Sequence, residues 1–486
     1  MVERVLITTA LEDTWPEYDI PVLFLGEWCK LYSSKDKWSK FDSMVVPYHW
    51  DDREKLKKDY SYFEKLHEEL LNELAEDLNN IHKTQFTVNY WRILIGPWLG
   101  YFTHIIYDRW YMINTALKRF SKLSTIILKL DEDNLVPNDM NHFHDLYSSD
   151  LWNHFIYGKI IDISIISNVL PKKPNASQKS NEIRYTIQQK IKFLYAKYIN
   201  KYSVNGSYFL INTYLSKLNY LKLLFKLKVI PVPNSSFSIK TSKPNKIFRN
   251  FKINSNDRIS KCNDFEAILR QLIVKQIPVC YVESFFELSA MSRTLNWPKS
   301  PKTIFTSNSH NSDDVFKQYA ARCIEKSNTK LIIGQHGGNY GIGEFNFNEK
   351  HEIEICHKYL SWGWGSTEKK VLPIGQLKLK NPIKIKNSEK HHLLLVTASF
   401  QRYSYFIYSA VMASQWLYYF KDQCEFIDGL NYEIMNKTIV RLYKIDYGWC
   451  QKERWLASHP TIQIDDGSTD ITFQLRKCRI FVATYN

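Results

Sequence analysis

The residues best equipped for chemistry in this chain lie in Gln335-His336-Gly337-Gly338-Asn339-Tyr340-Gly341, directly after the apolar run Leu331-Ile332-Ile333-Gly334. A strand that ends in a glycine-bearing turn is how an open α/β sheet presents a ligand at its carboxyl edge. Gly337 and Gly338 carry no Cβ to hold an anionic group away from the backbone N–H. His336, just before them, has the right type for a general base or a donor to an oxyanion, and Glu344 is a second candidate base. Gln335, Gly337, Gly338 and Tyr340 would line the cleft around it. The whole chain has only 16 glycines, so their clustering here is informative.

Other polar groups fall at the ends of predicted strands. Thr306-Ser307-Asn308-Ser309-His310 brings Asn308 and His310 to the same edge. From the C-terminal part come Ala398 to Arg402 and Arg441 to Asp446, whose Arg402, Arg441 and Lys444 suit a phosphate. Rival constellations are weaker. Asp131-Glu132-Asp133 has the carboxylate spacing that holds a metal against a nucleotide diphosphate, but Lys129 interrupts the approach. His351-Glu352 with His357 lacks the i, i+4 histidine pair of a zinc helix. Eight cysteines contain no C-x-x-C pair, so neither a zinc ribbon nor a disulfide framework is indicated, and a reducing cytosol fits. No metal and no cofactor is expected. A nucleophile elbow and a Walker A loop are also missing.

The elements that must position these groups alternate. Val5–Thr9 and Val22–Leu25 read as buried strands, and Arg53–Asn80 as an amphipathic helix. Trp91–Lys118 reads as a more apolar helix broken near Pro97, its Arg92, Asp108 and Arg109 paired for structure. After a lysine-rich insertion at about 171–261, strands at Val279–Val282, Thr303–Ser307 and Leu331–Ile333 alternate with helices, which builds a parallel sheet. Residues 366–390, rich in Pro and Lys, read as a linker. A second alternation holds strands His392–Thr397, Thr438–Tyr443 and Arg479–Asn486 and a helix at Ser404–Phe420. The expected fold class is α/β with two Rossmann-like domains, over 1–365 and 391–486.

The formal charge of +15 calls for an anionic partner, although no nucleic-acid reader motif is present. The charge-free stretches Ile93–Tyr107 and Tyr403–Phe420 are too short or too polar to span a bilayer, which predicts a soluble or peripheral protein.

Gln335-His-Gly-Gly-Asn-Tyr-Gly341, Trp362-Gly-Trp364 and Arg441-Leu-Tyr-Lys-Ile-Asp-Tyr-Gly-Trp449 together resemble a bacterial family of transferases encoded in O-antigen and capsule loci. Pro47-Tyr-His-Trp50, Trp98-Leu-Gly100 and Thr306-Ser-Asn308 extend the similarity over most of the chain outside the insertion. The resemblance implies a metal-independent GT-B glycosyltransferase that binds its nucleotide-sugar mostly through the C-terminal domain. Arg441, Lys444, Asp446, Arg402, Thr484 and Asn486 are then the donor-phosphate candidates. Its partners would be a nucleotide-sugar and a glycan or lipid-linked acceptor, not nucleic acid, in the cytoplasm with or without contact at the inner membrane. Two departures stand out. Lys444-Ile445 occupy the place of a Pro-His pair, and the family continues past Thr484-Tyr-Asn486 into a Ser/Thr-rich turn and helix, so the C-terminal domain is expected to be incomplete. A polyol-phosphate transferase and a non-catalytic binding homologue are the alternatives.

Overall fold

Runs of β-branched residues and leucine bounded by turn formers give short strands buried on both faces, the pattern of parallel sheets. The computed structural model describes residues 3–163, 168–172, 208–229, 239, 241–251, 264–295, 297–367, 369–378 and 392–484. Much of the stretch expected as an insertion, together with Asn486, lies outside the described residues.

Three all-parallel sheets form. The first contains β1 (Arg4–Ile7), β2 (Val22–Phe24), β3 (Ser43–Val45), β4 (Leu123–Leu128) and β5 (Asn168–Lys172) in the order β3-β2-β1-β4-β5. The second contains β6 (Tyr208–Leu210), β7 (Thr303–Thr306), β8 (Lys330–Gly334), β9 (Lys358–Ser361) and β10 (Val371–Pro373), laid side by side in chain order. The third contains β11 (His392–Val396), β12 (Thr438–Arg441), β13 (Gln463–Asp465) and β14 (Cys478–Ala483) in the order β13-β12-β11-β14. The strand order reverses between β1 and β4 and again between β11 and β14. Open α/β sheets take their ligands at such reversals.

The sequence reading placed one sheet in residues 1–365, and the structure builds two there. Two details explain the difference. β6 comes from the lysine-rich stretch, where polar composition hid a three-residue strand, and β10 comes from the segment read as a linker. Val279–Val282, expected as a strand, is instead a 3-10 turn over Val279–Tyr281. Its Val279 and Cys280 N–H groups donate to Pro137 O and Asn138 O, both at 2.9 Å, so no sheet edge claims them.

Helices α1 (Arg53–His82) and α2 (Val88–Arg119) pack against each other. α2 is buried all round from Ile93 to Arg109, which is why its sequence is apolar without a clear polar face. It runs unbroken through Pro97, because packing on every side outweighs the one hydrogen bond that proline removes. Arg92 pairs with Glu68 (2.6 Å) and Glu354 (3.2 Å), and Asp108 with Arg109 and His49, the structural roles expected of them.

Further helices are α3 (Asp150–Ile163), α4 (Lys217–Leu227), α5 (Asp264–Gln276), α6 (Asp314–Ser327), α7 (Phe347–Ile355), α8 (Trp416–Asp428) and α9 (Gln451–Ser458). The helix expected over Ser404–Phe420 starts only at Trp416. Residues 398–412 instead form a strap from the third sheet onto the first two. Tyr405 stacks on Tyr147 at 5.2 Å, Phe406 on Tyr101 at 5.2 Å, and the Ile407 N–H donates to His104 Nδ1 at 3.1 Å. These contacts take up the aromatic side chains and backbone donors that a helix would have used.

Candidate functional site

The turn after β8 is held by Gln335, which is buried. Its N–H donates to Leu360 O (2.9 Å) and its side-chain amide to Gly337 O (2.7 Å). Its Oε1 accepts from the Trp362 N–H and the Trp364 indole, both at 2.8 Å. Gln335 therefore shapes the turn. Gly341 takes φ +76°, where a side chain would also run into the Trp364 ring.

α7 lies against this turn. Asn346 caps it by accepting from the Glu349 N–H (3.1 Å), and Glu349 accepts from the Gly341 N–H (2.7 Å). On the other side α7 meets α2 where α2 has only glycine. A Cβ on Gly100 would enter the Phe347 ring, and one on Gly96 would sit 2.7 Å from His351 Cε1. This close approach sets the depth of Glu352, whose side chain is 1% exposed.

Glu352 collects the chemistry of the site. Its Oε1 accepts from the Tyr340 hydroxyl (2.8 Å) and lies 3.0 Å from His310 Nε2 and 3.6 Å from His336 Nδ1. Its Oε2 has no hydrogen-bond partner among the described residues. His310 is buried on the short helix Ser309–Ser312 after β7. His336 is the member that reaches solvent, its side chain 24% exposed. Nδ1 faces Glu352 without a hydrogen bond among the described residues, and Nε2 lies 3.4 Å from the oxygen of the Tyr340 hydroxyl, whose proton goes to Glu352. Burial pushes the His336 imidazole below its ordinary range and Glu352 opposes that push. The lowered pKa leaves the ring neutral near pH 7. Among the described residues no group of three His, Cys, Asp or Glu side chains has the arrangement of a metal site.

The other predicted site residues are placed as follows. Asn308 donates to the Tyr214 hydroxyl (2.8 Å), and the Tyr214 ring lies nearly parallel to His336 at 6.4 Å. Glu344 is exposed and pairs with Lys57 at 3.0 Å, away from the Glu352 cluster. Arg441 is buried and donates to Asp465 (2.7 Å) and Gly467 O (3.3 Å). Arg402 donates to Asp150 (2.5 Å), Trp28 O (2.6 Å) and Tyr447 O (3.2 Å), joining the third sheet to the first. Asp446 accepts from the Cys450 and Gln451 N–H groups (2.8 and 2.7 Å) at the start of α9. Thr484 donates to Val396 O (2.9 Å), at the β11/β14 reversal. Lys444 is exposed.

Sequence reasoning missed Glu352, Tyr214 and Lys378. Glu352 was readable: Phe347, His351 and Ile355 mark the inner face of a short helix, and a carboxylate beside that face must find partners. Lys378, which donates to His336 O at 2.8 Å, gave no such signal.

The family model described as LIC12162 family transferase matches residues 4–486. The chain belongs to that family. As a member of this transferase family it is an α/β enzyme built on several parallel sheets, and the Gln335–Gly341 turn and the Glu352 cluster lie within the matched region. No helix among the described residues is long and apolar enough to cross a membrane. No curated protein and no solved structure matches the chain significantly.

Proposed function

We propose that this member of the family is a glycosyltransferase of the GT-B type, acting on a surface-polysaccharide or lipid-linked glycan acceptor. The observation that carries the reading is the His336–Glu352 pair at the carboxyl edge of β8, a neutral, solvent-reaching imidazole backed by a buried carboxylate. The His336 imidazole would take the proton from an acceptor hydroxyl as that oxygen bonds to the anomeric carbon of the donor. The bond from that carbon to the diphosphate breaks at the same time, and the nucleoside diphosphate leaves with the electron pair. The β11/β14 reversal, with Thr397 and Thr484 beside it, supports a nucleotide seat in the third sheet. Arg402 and Arg441 are held by Asp150 and Asp465, so their part is to shape that seat. Lys444 is the exposed cation that remains of the predicted donor set.

The strap favours communication between the two edges. Its Ser409 N–H donates to Phe345 O (2.9 Å), two residues before the helix that carries Glu352. A peripheral membrane contact finds support in α4. Leu218, Leu221 and Phe225 form one exposed stripe, with Lys217 and Lys228 on one flank and Lys222 and Lys226 on the other. That is how an interfacial helix places apolar and cationic groups.

The test is incubation with a panel of nucleotide-sugars and lysate-derived glycolipid acceptors, read by product mass. A sugar increment that disappears in His336→Ala, with melting unchanged, is the expected result. An added phosphopolyol would overturn the reaction assigned. Neither product, combined with thermal stabilisation by a nucleotide-sugar, would indicate a binding protein.

A further inference from the structure

At the carboxyl end of β6 a cavity of about 320 Å³ opens, lined chiefly by Asn212, Thr213, Tyr214, Lys217, Tyr220 and Asn308. This is within the size range of about 300–1,000 Å³ that small-molecule sites occupy. Its wall is built at some conformational cost: Asn212 and Tyr214 both adopt left-handed backbone angles, φ +48° and +57°. Hydrogen bonds from the neighbouring strand hold them there. The Ser307 N–H donates to Asn212 O (3.0 Å), Ser307 Oγ to Thr213 O (3.2 Å), and the Asn212 amide to Ser309 Oγ (2.6 Å).

The result is a tyrosine ring fixed at the mouth of the cavity. Asn308 holds its hydroxyl, and the ring lies at 20° to the His336 imidazole. Lys378 Nζ sits 4.3 Å from the ring centroid while donating to His336 O. Among the described residues the lining combines two phenols, two carboxamides and a hydroxyl with lysine, and it contains no carboxylate. Phenol faces take the C–H face of a sugar, carboxamides pair with its hydroxyls, and the lysines require a negative charge.

We infer that this cavity is a subsite for an anionic saccharide, a sugar ring bearing a phosphate or carboxylate, which packs on Tyr214 and turns its charge to Lys378. The inference rests on the reading of His336 as the base, because the subsite brings a sugar hydroxyl to that imidazole. It adds the class of ligand.

Calorimetric titration of the full chain with glucose 1-phosphate, glucuronate, glucose and inorganic phosphate tests it. The expected result is that glucose 1-phosphate or glucuronate binds more tightly than glucose or phosphate, and the stronger of the two shows which anionic group the site prefers. Lys378→Gln should weaken the anionic sugar about tenfold and leave glucose unchanged. Tyr214→Ala, with its melting temperature checked, should weaken both sugars. Absence of saturable binding by any sugar overturns the subsite, as does binding that neither variant alters. His336→Gln separates this proposal from the reaction itself. Transfer that survives in His336→Gln while sugar binding stays sensitive to Lys378 removes the base and keeps the subsite. Transfer that depends on His336 without any sugar binding at this cavity removes the subsite alone.

Discussion

Replacing Glu352 by glutamine keeps the shape of the side chain and removes its charge, so it isolates what the carboxylate does to His336. At the 3.6 Å separation of Glu352 Oε1 and His336 Nδ1, two unit charges at an effective dielectric of about 20 attract by about 4–5 kcal/mol. His336 is partly exposed, and water screening reduces this to about 1–2 kcal/mol, or roughly one pKa unit. The sign is fixed: without the carboxylate, burial acts on the imidazole unopposed, and its pKa falls below the already lowered wild-type value. The pH dependence of carbethoxylation reads this without any substrate, because the reagent modifies neutral imidazole and peptide mass spectrometry reports His336 alone. The midpoint for His336 should move down by about one unit in Glu352→Gln. A midpoint that stays in place or moves up would refute the electrostatic pairing of Glu352 with His336.

Gly100→Ala should lower stability by about 1–3 kcal/mol, since the added methyl enters the Phe347 ring, whereas Gly365→Ala, with open space around its Cβ, should melt like the wild type. Activity should fall with the first variant as well, because Phe347 and Glu352 share α7. His144 and His154 are pushed down to about 4 by burial, so the fold keeps them neutral. Their contribution is complete above about pH 6.5 and is lost as pH falls toward 4, about 2 kcal/mol from each by pH 5, which denaturation at pH 7 and pH 5 measures. A double His144→Gln/His154→Gln variant should flatten that dependence. Co-sedimentation with vesicles containing anionic lipid should capture the wild type and lose Phe225→Ser, and capture by neutral vesicles alone would contradict the role given to the α4 lysines.

The site was legible where chemistry and local structure coincide. His336 follows a β-strand and precedes two glycines, and both facts can be read along the chain. Asn308 and His310 follow β7 in the same way. Arg402 and Arg441 also sit at strand ends, yet they are paired with Asp150 and Asp465, residues 252 and 24 positions away. Residue type shows that an arginine can meet a phosphate, but only the tertiary fold shows that a carboxylate has already done so. The same limit explains the helix expected from Ser404 onward. Its aromatic spacing was read as helical, whereas Tyr405 and Phe406 are docked on Tyr147 and Tyr101 across the molecule. The outer strands of the second sheet were hidden for a different reason: β6 and β10 have three residues each, too few to show a period.

The strap, with the 3-10 turn Ala413–Gln415 that follows it, is anchored through Arg402, Ile407 and Gln415, the last donating to Trp50 O at 3.2 Å and to Asp51 at 3.0 Å. Three anchors spread over fourteen residues resist a swing of the third sheet away from the first. Scattering profiles recorded with and without nucleotide should therefore superimpose. With the sheets held together, turnover should respond to changes in the Tyr214 loop and Lys378 before it responds to solvent viscosity.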